Sequence, residues 1–164
     1  MRLLNRKKPD IERAYSLYAD LLYRVALAQL LHDADAQDAV QDVFLKYMTA
    51  APNLRDEEHE RAWFLRATIN RCHDLARRKK VREALPLEEA VNVAAVEKQE
   101  AFGVPELLQQ LPNTMKEPVI LHYLEGYSLE ETAKILQLSL SAVKMRLSRA
   151  RDVLRKKGEE ENDV

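Results

Sequence analysis

Apolar residues recur at helical spacing over most of the chain, and sustained alternation of apolar and polar positions is absent. Asp10 is placed to cap a first helix whose apolar stripe runs through Ile11, Ala14, Tyr15, Tyr18, Leu21, Leu22 and Val25. His32-Asp33-Ala34-Asp35 reads as a turn, with Asp35 capping a second helix that buries Ala39, Val40, Val43, Phe44 and Tyr47. Ala50 to Glu60, with Pro52 and Asn53, reads as a loop. A long third helix is predicted from about Glu60 to Lys80, with Ala62, Leu65, Ile69, Cys72 and Ala76 on its buried face.

Glu83 to Gly103 has no helical punctuation until its end and reads as a linker, with room for a helical turn around Leu87 to Val91. Pro105 to Leu111 forms a short helix, and Asn113 or Thr114 caps the next, with Pro118 in its first turn, where proline is tolerated. Val119, Ile120, Tyr123 and Leu124 are expected to pack behind the last two helices, and Gly126 ends the helix that carries them. Ser128 and Glu131 carry the capping-box spacing, and Leu129, Ala133 and Leu136 recur at helical intervals beyond the cap. After Gln137-Leu138, Ser139 caps a last helix with Val143, Leu147, Ala150 and Leu154 on one face. Two helices joined by a turn of about three residues form a helix-turn-helix. The chain therefore reads as all-α: two small helical domains, 10–82 and 104–158, joined by a linker at 83–103, the C-terminal one a helix-turn-helix bundle.

Composition sharpens this picture. With 164 residues and only three glycines, the chain is long enough for one domain or two small ones with modest cores. A formal net charge of -1 argues by itself against a nucleic-acid partner, but it conceals segregation. Arg61 to Arg82 holds eight basic residues against Asp74, and Lys144 to Lys157 holds seven against Asp152; Glu83 to Glu106 holds six acids against Lys98. Two basic blocks separated by acid predict two separate contacts with a polyanion. Cys72 is the one cysteine and reads as a small buried hydrophobe. No apolar run approaches a membrane span, and Met1 to Pro9 lacks the core of a secretory signal, so a cytoplasmic protein with no membrane insertion is expected.

With the stripe of the last helix turned inward, Ser141, Met145, Ser148 and Arg149 point out, flanked by Lys144, Arg151 and Arg155 on one side and Arg146 on the other. Cations beside short side chains suit a helix entering a major groove. The same cations also complement the dipole of an ordinary solvated helix. On the third helix Arg66, Asn70, Asp74 and Arg77 share the exposed side, with Asp74 spaced to orient an arginine. Trp63 serves either as a core anchor or as a stacking surface for an unpaired base. Asp38, Gln41 and Asp42 offer a negative patch to a basic partner. The four histidines lack metal-ligand spacing and no glycine-rich phosphate loop occurs, so neither an enzyme nor a bound cofactor or metal is expected. A helix-turn-helix activator with a separate sensor domain is the alternative reading; it leaves the third helix and the acidic patch unassigned.

Three patterns together carry a resemblance: Asp-x-Val-Gln-Asp-Val-Phe (Asp38 to Phe44); Trp-x6-Asn-x3-Asp-x2-Arg-Arg (Trp63 to Arg78); and Leu-Pro, Gly-x-Ser-x-x-Glu and Val-Lys-x-Arg-Leu-x-Arg-Ala-Arg (Leu111 to Arg151). In this order they resemble the extracytoplasmic-function (ECF) group of sigma factors in the sigma-70 family. The resemblance implies a subunit that directs bacterial RNA polymerase core to promoters. It implies that Asp38, Gln41, Asp42 and Phe44 dock on the β′ clamp helices. Asn70, Asp74, Arg77 and Arg78, beside Arg66, engage the −10 element by the same inference, and the loop Ala50 to Arg61 captures a flipped base. Lys144, Met145, Ser148 and Arg149 fall at the −35 contact positions of a domain that also meets the β flap. The linker is implied to thread towards the RNA exit channel. Members are commonly held inactive by a membrane-bound anti-sigma factor that clamps both domains, and such a partner is implied here. Three departures stand out: Gln137 where the family often has Gly, Ser141-Ala142 for Gly-Thr, and Met145 for a common Ser. A non-glycine residue in a left-handed turn costs on the order of 1 kcal/mol, and the usual −35 sequence does not transfer to the altered helix.

Overall fold

The computed structural model describes residues 8–50, 52–84 and 104–162, and all regular structure in them is helical. α1 (Ile11–Leu30) starts where the Asp10 carboxylate accepts the Arg13 amide at 3.1 Å. It ends at Leu31, in the left-handed region. α2 (Asp33–Ala50) begins two residues before the expected Asp35 cap. His32 takes the capping role, its Nδ1 accepting the Asp35 amide at 3.2 Å, and Asp35 lies within the first turn. α3 (Glu57–Glu83) is longer than predicted because Asp56 caps it, accepting the His59 amide at 2.7 Å. Glu60, set by sequence at the junction of loop and third helix, is buried in α3, where Tyr18 Oη donates to it at 2.8 Å and Arg13 Nη1 at 3.0 Å.

These three helices pack around Phe64, which is fully buried. Its ring centroid lies 4.8 Å from Tyr18, 5.3 Å from Phe44, 4.9 Å from Tyr47 and 5.1 Å from Trp63. Trp63 is half-buried against this cluster, as a core anchor would be. The apolar stripe of α1 is buried as predicted at Ala14, Tyr18, Leu22 and Val25, but Tyr15 is exposed. Cys72 is fully buried, and burial pushes its thiol up to about 12.

α4 (Val104–Gln109) is followed by α5 (Asn113–Val119), which passes into a π-helical segment, Ile120–Leu124. Two expectations fail here. Neither Asn113 nor Thr114 caps α5: Pro112 stands at the cap without a side-chain bond, and its carbonyl accepts the Met115 and Lys116 amides at 3.0 Å. Pro118 lies inside α5, beyond its first turn. It has no N–H for the Thr114 carbonyl, the missing bond that a proline brings to a helix interior. The wider π turn then rotates the face it presents. Ile120 and Leu121 are buried, whereas Tyr123 and Leu124, expected in the core, are exposed.

Gly126, at φ 80°, turns the chain into α6 (Leu129–Leu136). The Ser128 hydroxyl accepts the Glu131 amide at 3.0 Å, while the Glu131 carboxylate reaches towards Arg61, 3.9 Å away. α6 ends at Gln137 in the left-handed conformation, φ 55° and ψ 43°. Ser139 then caps α7 (Leu140–Asn162), accepting the Ala142 amide at 3.1 Å. Val143, Leu147 and Ala150 are buried and Leu154 partly so, the stripe that sequence predicts.

The two groups of helices touch. α6 lies against α3, and α5 with its π segment lies against α1. Arg24 forks onto Glu125 with two bonds of 3.1 Å, Lys116 Nζ donates to the Gln29 carbonyl at 3.2 Å, and His73 pairs with the buried Glu117. The supposed linker begins only after α3 has run through Glu83, and Leu87 to Val91 lie outside the described residues.

Candidate nucleic-acid interface

α7 presents a strip that packing does not use. Ser141, Lys144, Met145, Ser148 and Arg149 are exposed, opposite the buried Val143, Leu147 and Ala150. Helical periodicity alone fixes this division, because the core takes one face and leaves its opposite to solvent. The other arginines of the helix have partners. Arg146 Nη1 donates to the Thr114 carbonyl at 3.4 Å, Arg151 to Tyr123 Oη at 2.7 Å, and Arg155 to Asp152 at 3.0 Å. Among the described residues Lys144 and Arg149 make no such bond, leaving a cation on each side of Met145 and Ser148 for phosphate or base edges.

The last turns of α3 form a second basic face. Asn70, Asp74, Arg77 and Arg78 are exposed, and Asp74 Oδ1 lies 3.5 Å from Arg77 Nη2, the i,i+3 pair that the spacing predicts. Asp74, Arg77, Arg78, Val81 and Arg82 line an open groove of about 550 Å³. Arg66 is not part of it. Half-buried, it lines a separate cleft of about 630 Å³ with Asn53, Arg55 and Arg61 on one wall and Lys134 and Gln137 of α6 on the other.

On α2, Asp38 and Gln41 are exposed. Asp42 is half-buried and accepts from Arg71 Nε at 2.7 Å, so its charge ties α2 to α3. Phe44, grouped with these residues by sequence, is buried among Tyr15 and Phe64, and its ring is unavailable to a partner. Sequence reasoning passed over Arg71. Its partner is 29 positions away, and no local spacing announces such a pair. Among the described residues no cluster of His, Cys, Asp or Glu could hold a metal, and no helix is long and apolar enough to cross a membrane.

Two family models match the chain: Sigma-70 region 2 over residues 14–82 and Sigma-70, region 4 over residues 103–154. The chain belongs to the sigma-70 family. Within it, this sigma factor is 33% identical over 132 residues to the ECF RNA polymerase sigma factor SigM of Mycobacterium tuberculosis, covering 79% of this chain and 67% of SigM. Its fold matches the solved structure of CnrH, a Cupriavidus metallidurans RNA polymerase sigma factor, in complex with the cytosolic domain of CnrY. That match has a TM-score of 0.67 at 26% identity and covers 92% of this chain and 88% of CnrH. The Bartonella quintana sigma factor RpoE, solved with the anti-sigma factor NepR, shares the fold at TM-score 0.69 and 22% identity, with 90% and 95% of the two chains covered. This ECF sigma factor directs RNA polymerase core to specific promoters and initiates transcription there. The helix-turn-helix activator reading is not favoured, because region 2 is matched along with region 4.

Proposed function

We propose that the division of labour runs along three faces, with residues 10–82 and 104–158 as the two working domains and no chemistry performed by the chain itself. Asp38 and Gln41 of α2 meet the β′ clamp helices, with Asp42 contributing through its exposed side and Phe44 holding α2 from behind. Asn70, Asp74, Arg77 and Arg78 engage the −10 element, and Arg66 serves the neighbouring loop rather than the same groove. Lys144, Met145, Ser148 and Arg149 read the −35 duplex, and the same domain meets the β flap. Opening the −10 duplex costs a few kcal/mol of unstacking, recovered by contacts to the extruded base.

The observation that carries this reading is the α7 strip: four exposed side chains backed by a buried stripe, with the neighbouring arginines already committed elsewhere. The RpoE complex with the anti-sigma factor NepR supports an anti-sigma partner for this chain too, and sigma function supports a cytoplasmic location. The test is in vitro transcription with bacterial core polymerase and host promoter fragments. Transcripts that depend on this protein and vanish with Arg149→Ala and Asn70→Ala support the assignment. Undiminished transcripts from both variants would remove these residues from the reading faces.

A further inference from the structure

The π turn that keeps Tyr123 out of the core brings its hydroxyl to α7. Tyr123 is 52% exposed within Ile120–Leu124, and its Oη accepts from Arg151 Nη1 at 2.7 Å, across 28 positions of chain. The ring has support behind it. His122 stands edge-on to it at 4.9 Å between centroids, and His122 is fixed in turn by the bond from its Nδ1 to the Tyr127 carbonyl at 2.7 Å.

Arg151 lies on a row that leads off the exposed strip of α7. Lys144, Ser148, Arg151 and Arg155 follow one another at spacings of four, three and four residues, which sets them along one side of the helix. The arginines flanking the strip differ in what their partners leave them. Arg155 meets the Asp152 carboxylate, which offsets its charge, and Arg146 is drawn back to the Thr114 carbonyl. Arg151 has a neutral hydroxyl as its acceptor and forms no ion pair among the described residues. It is committed in direction and not in charge.

A hydroxyl acceptor holds one N–H of a guanidinium and leaves the other donors free, and the hydroxyl keeps its own proton to donate. An arginine and a tyrosine placed side by side therefore offer an oxyanion two kinds of donor, and both residue types bind DNA phosphates. Seven residues separate Lys144 from Arg151, about 10 Å along a helix at 1.5 Å per residue, close to the roughly 12 Å width of a major groove. A helix seated in the groove by Lys144 to Arg149 carries Arg151 to the phosphate backbone at its edge.

We propose that Tyr123 and Arg151 form a phosphate clamp made from two helices. Tyr123 Oη holds the Arg151 guanidinium against one phosphate bordering the −35 element and donates its own proton to the same phosphate. The π segment supplies the hydroxyl, so its irregular backbone serves DNA binding through a contact that carries no sequence information. That the phosphate belongs to −35 DNA rests on the reading of α7 given above; the pairing of the two side chains as an anion site does not.

The test is binding of the full chain, assembled with bacterial core polymerase, to two duplexes. One carries the −35 element of a promoter selected by in vitro transcription, and the other is scrambled at that element. Arg151→Ala should weaken both several-fold and equally, and should flatten the dependence of log affinity on log salt by about 1, the loss of one phosphate contact. Tyr123→Phe keeps the ring and removes the hydroxyl. It should also weaken both duplexes, and should add nothing once Arg151 is replaced by Ala. Circular dichroism checks that each variant is folded. Wild-type binding by Tyr123→Phe, or an equal loss with and without Arg151, would overturn the clamp. Arg149→Ala on the same duplexes separates the clamp from the reading beneath it. A sequence-dependent loss there, with Tyr123→Phe and Arg151→Ala silent, sinks the clamp and keeps the base-reading strip. Coupled losses at Tyr123 and Arg151 with Arg149→Ala silent keep the clamp and sink the strip.

Discussion

Arg146, in the helix assigned to the −35 element, donates to the Thr114 carbonyl at 3.4 Å, the acceptor that Pro118 leaves without a backbone donor in α5. A residue in the middle of a basic run therefore bonds back onto α5, at the carbonyl whose usual i+4 donor is replaced by Pro118. Arg146→Ala should lower region 4 stability by about 1 kcal/mol, the range for one exposed hydrogen bond. Thermal unfolding reads this loss, and relative affinity for cognate against scrambled DNA should stay unchanged. A specificity change would place Arg146 at the bases.

Arg149 behaves oppositely. It is exposed and has no ion-pair or hydrogen-bond partner among the described residues. Arg149→Ala should cost about 1–3 kcal/mol on a cognate −35 duplex and little on scrambled DNA. Arg155, paired with Asp152 at 3.0 Å, should show no such sequence dependence when replaced. Competition binding at fixed salt measures both, and equal losses on the two duplexes would demote Arg149 to a phosphate contact.

Gln137 closes α6 at φ 55°, where a side chain is strained and glycine is not. Relief of that strain is worth about 1 kcal/mol, partly offset by the greater freedom glycine gives the unfolded chain. Gln137→Gly should therefore stabilise the protein by a few tenths of a kcal/mol to about 1 kcal/mol. Denaturant midpoints at unchanged slope check it; a lower midpoint would mean that the Gln137 side chain does more than fill a turn.

His73 gives the interface a pH dependence. Its hydrogen bond to Glu117 raises its pKa above the ordinary histidine value against the opposing effect of desolvation, with Asp74 adding to the rise and Arg77 reducing it. A histidine whose pKa is raised by folding adds stability that is complete below about pH 6.5 and is lost as pH climbs through the raised value. The wild type should therefore lose stability, relative to His73→Ala, as pH rises from about 6.5 through the raised value. Parallel curves for the two proteins across that window would show that the pair contributes nothing.

Much that depends on near neighbours in sequence was legible without the fold. The caps at Asp10, Ser128 and Ser139, the Val143, Leu147 and Ala150 stripe and the Asp74–Arg77 pair all rest on spacings of a few residues, while the left-handed Gln137 was suggested by the family resemblance. Helical geometry makes such spacings deterministic. The reading failed where one local rule displaced another. His32 took the cap from Asp35, and the π turn after Pro118 exchanged Leu121 for Tyr123 and Leu124 at the core.

By itself, then, the sequence determined the helices, the helix-turn-helix and the face that α7 leaves exposed, because each rests on a periodicity of three to four residues. Tertiary structure alone decided that Phe64 would be the hub, that Asp42 would be held by Arg71, and that Arg24 would meet Glu125 across 101 positions of chain. Those outcomes depend on how whole helices pack, and a charge or an aromatic ring carries no local mark of the distant partner it will find.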